Sequence, residues 1–165
     1  MDSEAQTVVD AIETAFHGVN RGEITLNEAE VIDNYGSAAE RAAARARDTE
    51  ARWQEVPDAH VANAAAALCH VDPVSWRYYV PRYMVWSLQN FRTSVSMSSD
   101  ATIYTFDLVD EANLAVHART RFAQLDAAQS AAVARYLRYM SGNDDFADAR
   151  VAAEALRKHW GRFLD

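Results

Sequence analysis

The chain predicts an all-α fold, a single-domain bundle of about seven or eight helices over residues 1–165 built around one aromatic-rich central helix. Three observations lead there. Helix-start signals recur along the sequence, only three prolines and five glycines interrupt it, and apolar residues repeat at steps of three and four. Ser3 with Gln6, Thr25 with Glu28, Ser37 with Glu40 and Asp126 with Gln129 each set a side-chain acceptor three residues before a Glu or Gln. That spacing satisfies the free N–H groups of a first helical turn. Gly18, Gly36 and Gly142 stand where helices should stop, because glycine accepts the left-handed backbone of a helix terminus.

These marks predict helices at about 4–17, 26–35, 38–54, 59–70, 74–92, 110–123, 127–141 and 146–163. In the first, Val8, Ile12 and Ala15 draw an apolar stripe. The helix from 74 opens on Asp72-Pro73, an N-cap with proline at the first helical position, where its missing N–H costs nothing. It carries Val80, Met84, Leu88 and Phe91 on one face and Tyr79, Tyr83 and Trp86 on another, and a helix apolar on two sides belongs at the centre. Trp53, Trp76, Tyr79, Met84, Leu88 and Trp160 are the expected core. Residues 93–107 are poor in packing groups; Ile103 to Phe106 alternate like a strand without a partner, so the segment predicts a loop. Val133, Leu137 and Met140 mark the inner face of the next-to-last helix. Phe146, Ala149, Ala153, Leu156, Trp160 and Phe163 mark that of the last.

With 165 residues, a domain buries roughly two thirds of its unfolded surface and needs no covalent staple. Cys69 is the only cysteine, so no internal disulfide is possible. No basic segment followed by an apolar run opens the sequence, where Asp2 and Glu4 lie, so a reducing, cytoplasmic setting is expected. The apolar stretch 59–71 is broken by His60, Asn63 and His70 and falls short of the ~20 residues a membrane span needs.

The net charge of −8 is unevenly placed. Residues 1–36 hold eight acids, Asp2, Glu4, Asp10, Glu13, Glu23, Glu28, Glu30 and Asp33, against one base, Arg21; the rest holds sixteen acids against fifteen bases. Such a surface repels nucleic acid and anionic lipid, which require clustered Lys and Arg. It attracts a basic protein by steering encounters.

Candidate chemistry is sparse. Cys69, His70 and Asp72 lie close in sequence, but neighbouring helical positions face apart and no second ligand pair completes a metal set. Cys69 is expected to be a small buried residue and Asp72 a cap. His17 and His159 fall near helix ends, where an imidazolium complements the dipole; His60 and His117 have no evident task. Asp107, Asp110 and Glu111 offer paired carboxylates, yet Asp107 or Asp110 is better explained as the cap of the helix that follows. Arg77 and Arg82, set among Trp76, Tyr78, Tyr79, Tyr83 and Trp86, either stack within the core or grip an anion. No phosphate loop, dinucleotide fingerprint or nucleophile elbow occurs. Neither a metal nor a cofactor is expected.

Trp53-x-x-x-Pro57, Leu68, the run Asp72-Pro73-x-x-Trp76-Arg77-Tyr78-Tyr79-Val80-Pro81-x-Tyr83-Met84, and Gln129-x-x-x-Val133-x-x-Tyr136-Leu137 together resemble a bacterial family known as domain of unknown function 6714. The resemblance covers about residues 10–140. It implies a bacterial single-domain protein and supplies no catalytic residue; Arg82 stands where the motif is expected to carry a small side chain.

Two functional classes follow. The first is a non-enzymatic acidic module that binds a basic protein, most concretely an immunity-type antitoxin, through Asp10, Glu13, Glu30 and Asp33. The second is a small-molecule-binding protein or enzyme with an anionic-ligand pocket formed by Trp76, Arg77, Tyr78, Arg82 and Tyr83. Localised acidity favours the first.

Overall fold

The computed structural model describes residues 1–109 and 111–164. Ten helices and no strand occur among them: α1 (Ser3–Ala15), α2 (Leu26–Asp33), α3 (Ala38–Arg45), α4 (Asp58–Asn63), α5 (Ala67–His70), α6 (Pro73–Asn90), α7 (Ser98–Tyr104), α8 (Ala112–Phe122), α9 (Ala127–Ser141) and α10 (Ala149–Lys158). Two 3-10 turns, Trp53–Glu55 and Trp160–Phe163, complete the set. The all-α expectation holds. The two extra helices arise because the predicted helix 59–70 divides into α4 and α5, and because α7 forms within 93–107.

Helix α6 is the axis. It packs against α1, α4, α5, α7, α8 and the first 3-10 turn, and Trp76, Tyr78, Val80, Tyr83 and Met84 have no solvent exposure at all. Burial on every side explains the two apolar faces read from the sequence. It also makes Pro81 tolerable inside the helix, since packing offsets the missing backbone hydrogen bond. The expected core residues Trp53, Trp76, Tyr79, Met84, Leu88 and Trp160 are all buried in one cluster.

Three of the four buried indoles satisfy their N–H on a distant segment, which ties those segments together. Trp53 Nε1 donates to the Phe16 carbonyl at 3.0 Å, Trp76 Nε1 to Thr105 Oγ1 at 2.8 Å and Trp160 Nε1 to the Phe106 carbonyl at 2.9 Å. Tyr83 donates to the Ala64 carbonyl and Tyr136 to Ser87 Oγ. Edge-on ring pairs carry the core onward from Trp76 through Phe106 to Trp160, with centroids 5.8 and 5.5 Å apart.

The caps at Thr25, Ser37 and Asp126 form as expected, the last two as full capping boxes. For α1 the cap is Asp2, whose carboxylate accepts the Ala5 N–H at 2.8 Å, and not Ser3. Gly18 is left-handed (φ +71°), whereas Tyr35 takes that conformation in place of Gly36 and Gly142 does not adopt it. Close approach explains Gly36: a Cβ there would lie 2.3 Å from Val31 Cγ1.

Four further expectations are corrected. The segment 93–107 contains α7 and is not a loop throughout. Its serines face other chain segments and bury their hydroxyls, Ser98 Oγ donating to the Val61 carbonyl at 2.6 Å and Ser96 Oγ to that of Ala62, so a polar sequence forms a packed helix. In the last helix Val151, Ala152 and Ala155 are the buried residues while Ala153 is exposed. The predicted stripe assumed one helix over 146–163, whereas α10 begins only at Ala149 and breaks at His159 (φ −146°), so Phe146 and the Trp160–Phe163 turn lie outside its period. Cys69 is exposed, since α5 is a single turn that leaves it on the outer side. Asp107 caps nothing: it accepts Lys158 Nζ at 3.2 Å, and Glu111 precedes α8 without a side-chain cap. Asp110 lies outside the described residues.

Candidate functional site

The eight carboxylates of residues 1–36 divide into those the fold consumes and those it leaves outward. Glu28, on the α2 face against α3, has a fully buried side chain. Arg45 donates Nε to its Oε2 and Nη2 to its Oε1, both at 2.7 Å, and Arg41 donates from Nε and Nη2 at 3.2 and 3.0 Å. The Arg45 hydrogen bonds hold its carboxyl below the ordinary glutamate range; burial opposes them and Arg41 assists. Asp2 accepts Tyr139 OH at 2.7 Å, and its bond from the Ala5 N–H, then that from Tyr139, keeps it ionised to lower pH than usual. Asp33 lies 3.0 Å from His70 Nε2 and Glu30 3.8 Å from His60 Nε2.

Glu4, Asp10, Glu13 and Glu23 remain exposed, and among the described residues no cation lies within ion-pair distance of them. Asp10 and Glu13 sit one helical turn apart on α1. With Thr14 and His17 they edge a shallow depression of about 620 Å³. Glu30 and Asp33 line a different one, of about 310 Å³, with Asn63 and Ala67. The four sequence-predicted partner residues therefore fall into two pairs, one on the helix packed against α9 and α6, the other on the helix packed against α3 and α5.

The cluster at 76–86 lies inward. Trp76, Tyr78 and Tyr83 are fully buried. Burial pushes the Tyr78 hydroxyl up to about 12, against a downward pull from Arg21, and raises that of Tyr83 further. Arg77 Nε donates to Gln129 Oε1 at 3.0 Å; Arg82 Nε donates to the Val56 carbonyl at 2.8 Å and its Nη2 meets Asp58. Arg82 thus anchors the first 3-10 turn and α4 to α6. None of the described depressions is lined by residues 76–86.

Two polar centres carried little sequence signal. Asp72 caps α6 as expected, accepting from Val74 N and Ser75 N at 3.0 Å each, but it also receives the N–H groups of Glu23 and Ile24 from the segment before α2. Burial acts against its charge, and the hydrogen bonds from Ser75 and the Ile24 backbone overcome it, so its carboxyl stays below the ordinary range. Gly22 makes this approach possible, because a Cβ there would lie 2.6 Å from Asp72 Oδ1 and from Ser75 N. The second centre is Asp48, buried, which accepts Asn27 N at 3.0 Å and Asn27 Nδ2 at 2.6 Å, with His60 Nδ1 3.9 Å away. No local pattern marks it, since its partners are about twenty residues upstream.

At the other end of the molecule, α8, the first turn of α9 and the C-terminal 3-10 turn enclose a depression of about 400 Å³ containing Arg119, Phe122, His159, Arg162 and Phe163. Sequence reading assigned Phe163 to the inner face of the last helix and His159 to a helix end; His159 is the C-cap position of α10, bonded there through its backbone N–H. The usable signal was a count of arginines near the C-terminus with no acid at i±4. Among the described residues no three His, Cys, Asp or Glu side chains converge as a metal site, and no helix is long and apolar enough to cross a membrane.

These features define a small all-helical protein with an acidic, unpaired α1 surface and a basic, ring-lined depression at its C-terminal end. Over residues 4–163 it matches the model of a family described as "Family of unknown function (DUF6714)", and the chain belongs to that family. No curated protein and no solved structure matches it.

Proposed function

We propose that the chain is a non-enzymatic protein-binding module for a basic partner, in its most concrete form an immunity-type antitoxin that covers the active site of a basic toxin in a bacterial cytoplasm. The observation that supports this reading is the exposure of Asp10 and Glu13, one turn apart on α1, with no cation in ion-pair range among the described residues. Unpaired like charges add nothing to folding, yet they raise the rate at which an oppositely charged partner finds the surface. Glu30 and Asp33 are a secondary element here, each already near a histidine.

Capture from a native-host extract at low salt, followed by association kinetics with the identified partner, tests the reading. D10K/E13K should slow association at least tenfold at low salt, 0.5 M NaCl should do the same to the wild type, and E30K/D33K should have a smaller effect. A partner that associates with D10K/E13K at the wild-type rate, or the absence of any basic protein among those captured, overturns it.

A further inference from the structure

Two arginines in this acidic chain stand without a counter-charge at the mouth of an apolar slot. Arg119 on α8 and Arg162 on the C-terminal 3-10 turn both line the depression of about 400 Å³, and neither is within ion-pair distance of a described carboxylate. The one acid on its wall, Asp126, is engaged elsewhere: Oδ1 accepts the Gln129 N–H at 2.8 Å as the cap of α9, and Oδ2 lies 4.0 Å from Arg77. The wall is therefore basic, in a protein whose net charge is −8.

The interior of the slot is made of rings. Phe122 is 7% exposed and backs onto the fully buried Trp160, with centroids 4.6 Å apart. His159 tilts over Phe122 at 5.1 Å and faces Phe163 at 6.0 Å. Leu125 is half-buried against the same core. Arg162 lies over the Phe163 ring, its guanidinium carbon 4.8 Å from the centroid, and its Nη2 is 3.4 Å from His159 Nε2. Stacking in this way fixes the plane of the guanidinium while leaving its N–H edge for an acceptor. Burial first, then Arg162 and Arg119, lower the proton affinity of His159, so at neutral pH the ring is an uncharged hydrogen-bonding group and the arginines supply the positive charge.

We propose that this depression is a binding site for a small planar aromatic carboxylate. The ring of such a ligand lies among Phe122, Leu125 and Phe163, and its carboxylate meets the Arg119 and Arg162 forks. A carboxylate matches the guanidinium fork in two parallel hydrogen bonds, and the volume lies within the ~300–1,000 Å³ of small-molecule sites. A neutral aromatic would leave both arginines unmatched, and a small aliphatic acid would leave the slot empty. The second functional class read from the sequence thus has its chemistry at 119–163, away from 76–86. The site shares no residue with the acidic α1 surface, so it stands or falls independently of the basic-partner reading.

Isothermal titration of the full chain with benzoate, indole-3-carboxylate, acetate and neutral indole, with shifts of the His159 imidazole followed by NMR, tests the proposal. Both aromatic acids should bind saturably and at least tenfold more tightly than acetate or indole, and should move the His159 signals. R119Q/R162Q should weaken them at least tenfold with an unchanged melting temperature, while R82Q, whose guanidinium is committed to the Val56 carbonyl and Asp58 outside the slot, should not weaken them. Absence of saturable binding to the wild type, affinity unchanged in R119Q/R162Q, or acetate binding as well as benzoate overturns it.

Discussion

Helix α6 and the C-terminal segment 119–163 are built from the same residue types, arginines set among large rings, and the fold uses them in opposite ways. In α6 the rings are buried and both arginines are spent on the protein: Arg77 on Gln129, Arg82 on Val56 and Asp58. In the C-terminal segment the rings reach the surface, and Arg119 and Arg162 meet no carboxylate among the described residues. Composition alone therefore does not separate a core from a site. What separates them is whether the polar groups are already satisfied, because a buried cation must find acceptors within the fold.

The sharpest way to break this comparison is to truncate a ring at each end. Trp76→Ala should cost about 3–5 kcal/mol, since it deletes a fully buried indole and orphans Thr105. Phe163→Ala, at the rim, should cost about 1 kcal/mol or less. Denaturant midpoints compare the two, and equal losses would refute the division into core and rim.

Next in size are two N-terminal contacts. Gly22→Ala should destabilise by about 1–3 kcal/mol, because the added Cβ would overlap Asp72 and Ser75 on the cap of α6. Glu28→Gln should cost about 2 kcal/mol through weakened charge-assisted hydrogen bonds, a figure kept low because Arg41 and Arg45 are partly solvated and can relax. Glu28 also carries a pH signature. Its folded pKa is lowered, so its contribution is fully present above the ordinary glutamate value near 4.5 and is lost as pH falls through the lower folded value. Chemical denaturation from pH 7 to 3 should show a shallower acid loss in Glu28→Gln than in the wild type; parallel curves would show that Arg41 and Arg45 do not hold that carboxylate.

The smallest effects sharpen the arginine contrast. Arg82→Gln should cost about 1–2 kcal/mol by freeing the Val56 carbonyl and Asp58. Arg162→Gln and D10K/E13K should each stay within about 0.5 kcal/mol, as exposed charges without an ion-pair partner do. Thermal melts rank all three, and an Arg162→Gln loss as large as that of Arg82→Gln would return Arg162 to a structural role.

Much of the fold was legible because its signals are local. Asp72-Pro73, Ser37 with Glu40 and Asp126 with Gln129 mark helix starts through bonds made within three residues, and the two-sided apolarity of α6 announces a central helix. The Ser-rich helix α7 escaped notice because the hydroxyls of Ser98 and of Ser96 just before it are satisfied by the carbonyls of Val61 and Ala62, over thirty residues upstream. The acidic tract was visible as a count, but the count did not say that Glu28 would be buried between two arginines while Asp10 and Glu13 stayed outward. The basic depression was least visible, because its lining comes from α8, α9 and the C-terminal turn.

By itself, then, the sequence determined the all-helical class, the caps of α2, α3, α6 and α9, the placement of α6 at the centre and the acidity of the first helices, since these depend on backbone preference, period and charge over short spans. Only the tertiary structure decided which charges are consumed and which remain, why Cys69 faces out and where the last helix begins and breaks. Those outcomes depend on desolvation and on acceptors supplied from distant segments, and both exist only once the helices have packed.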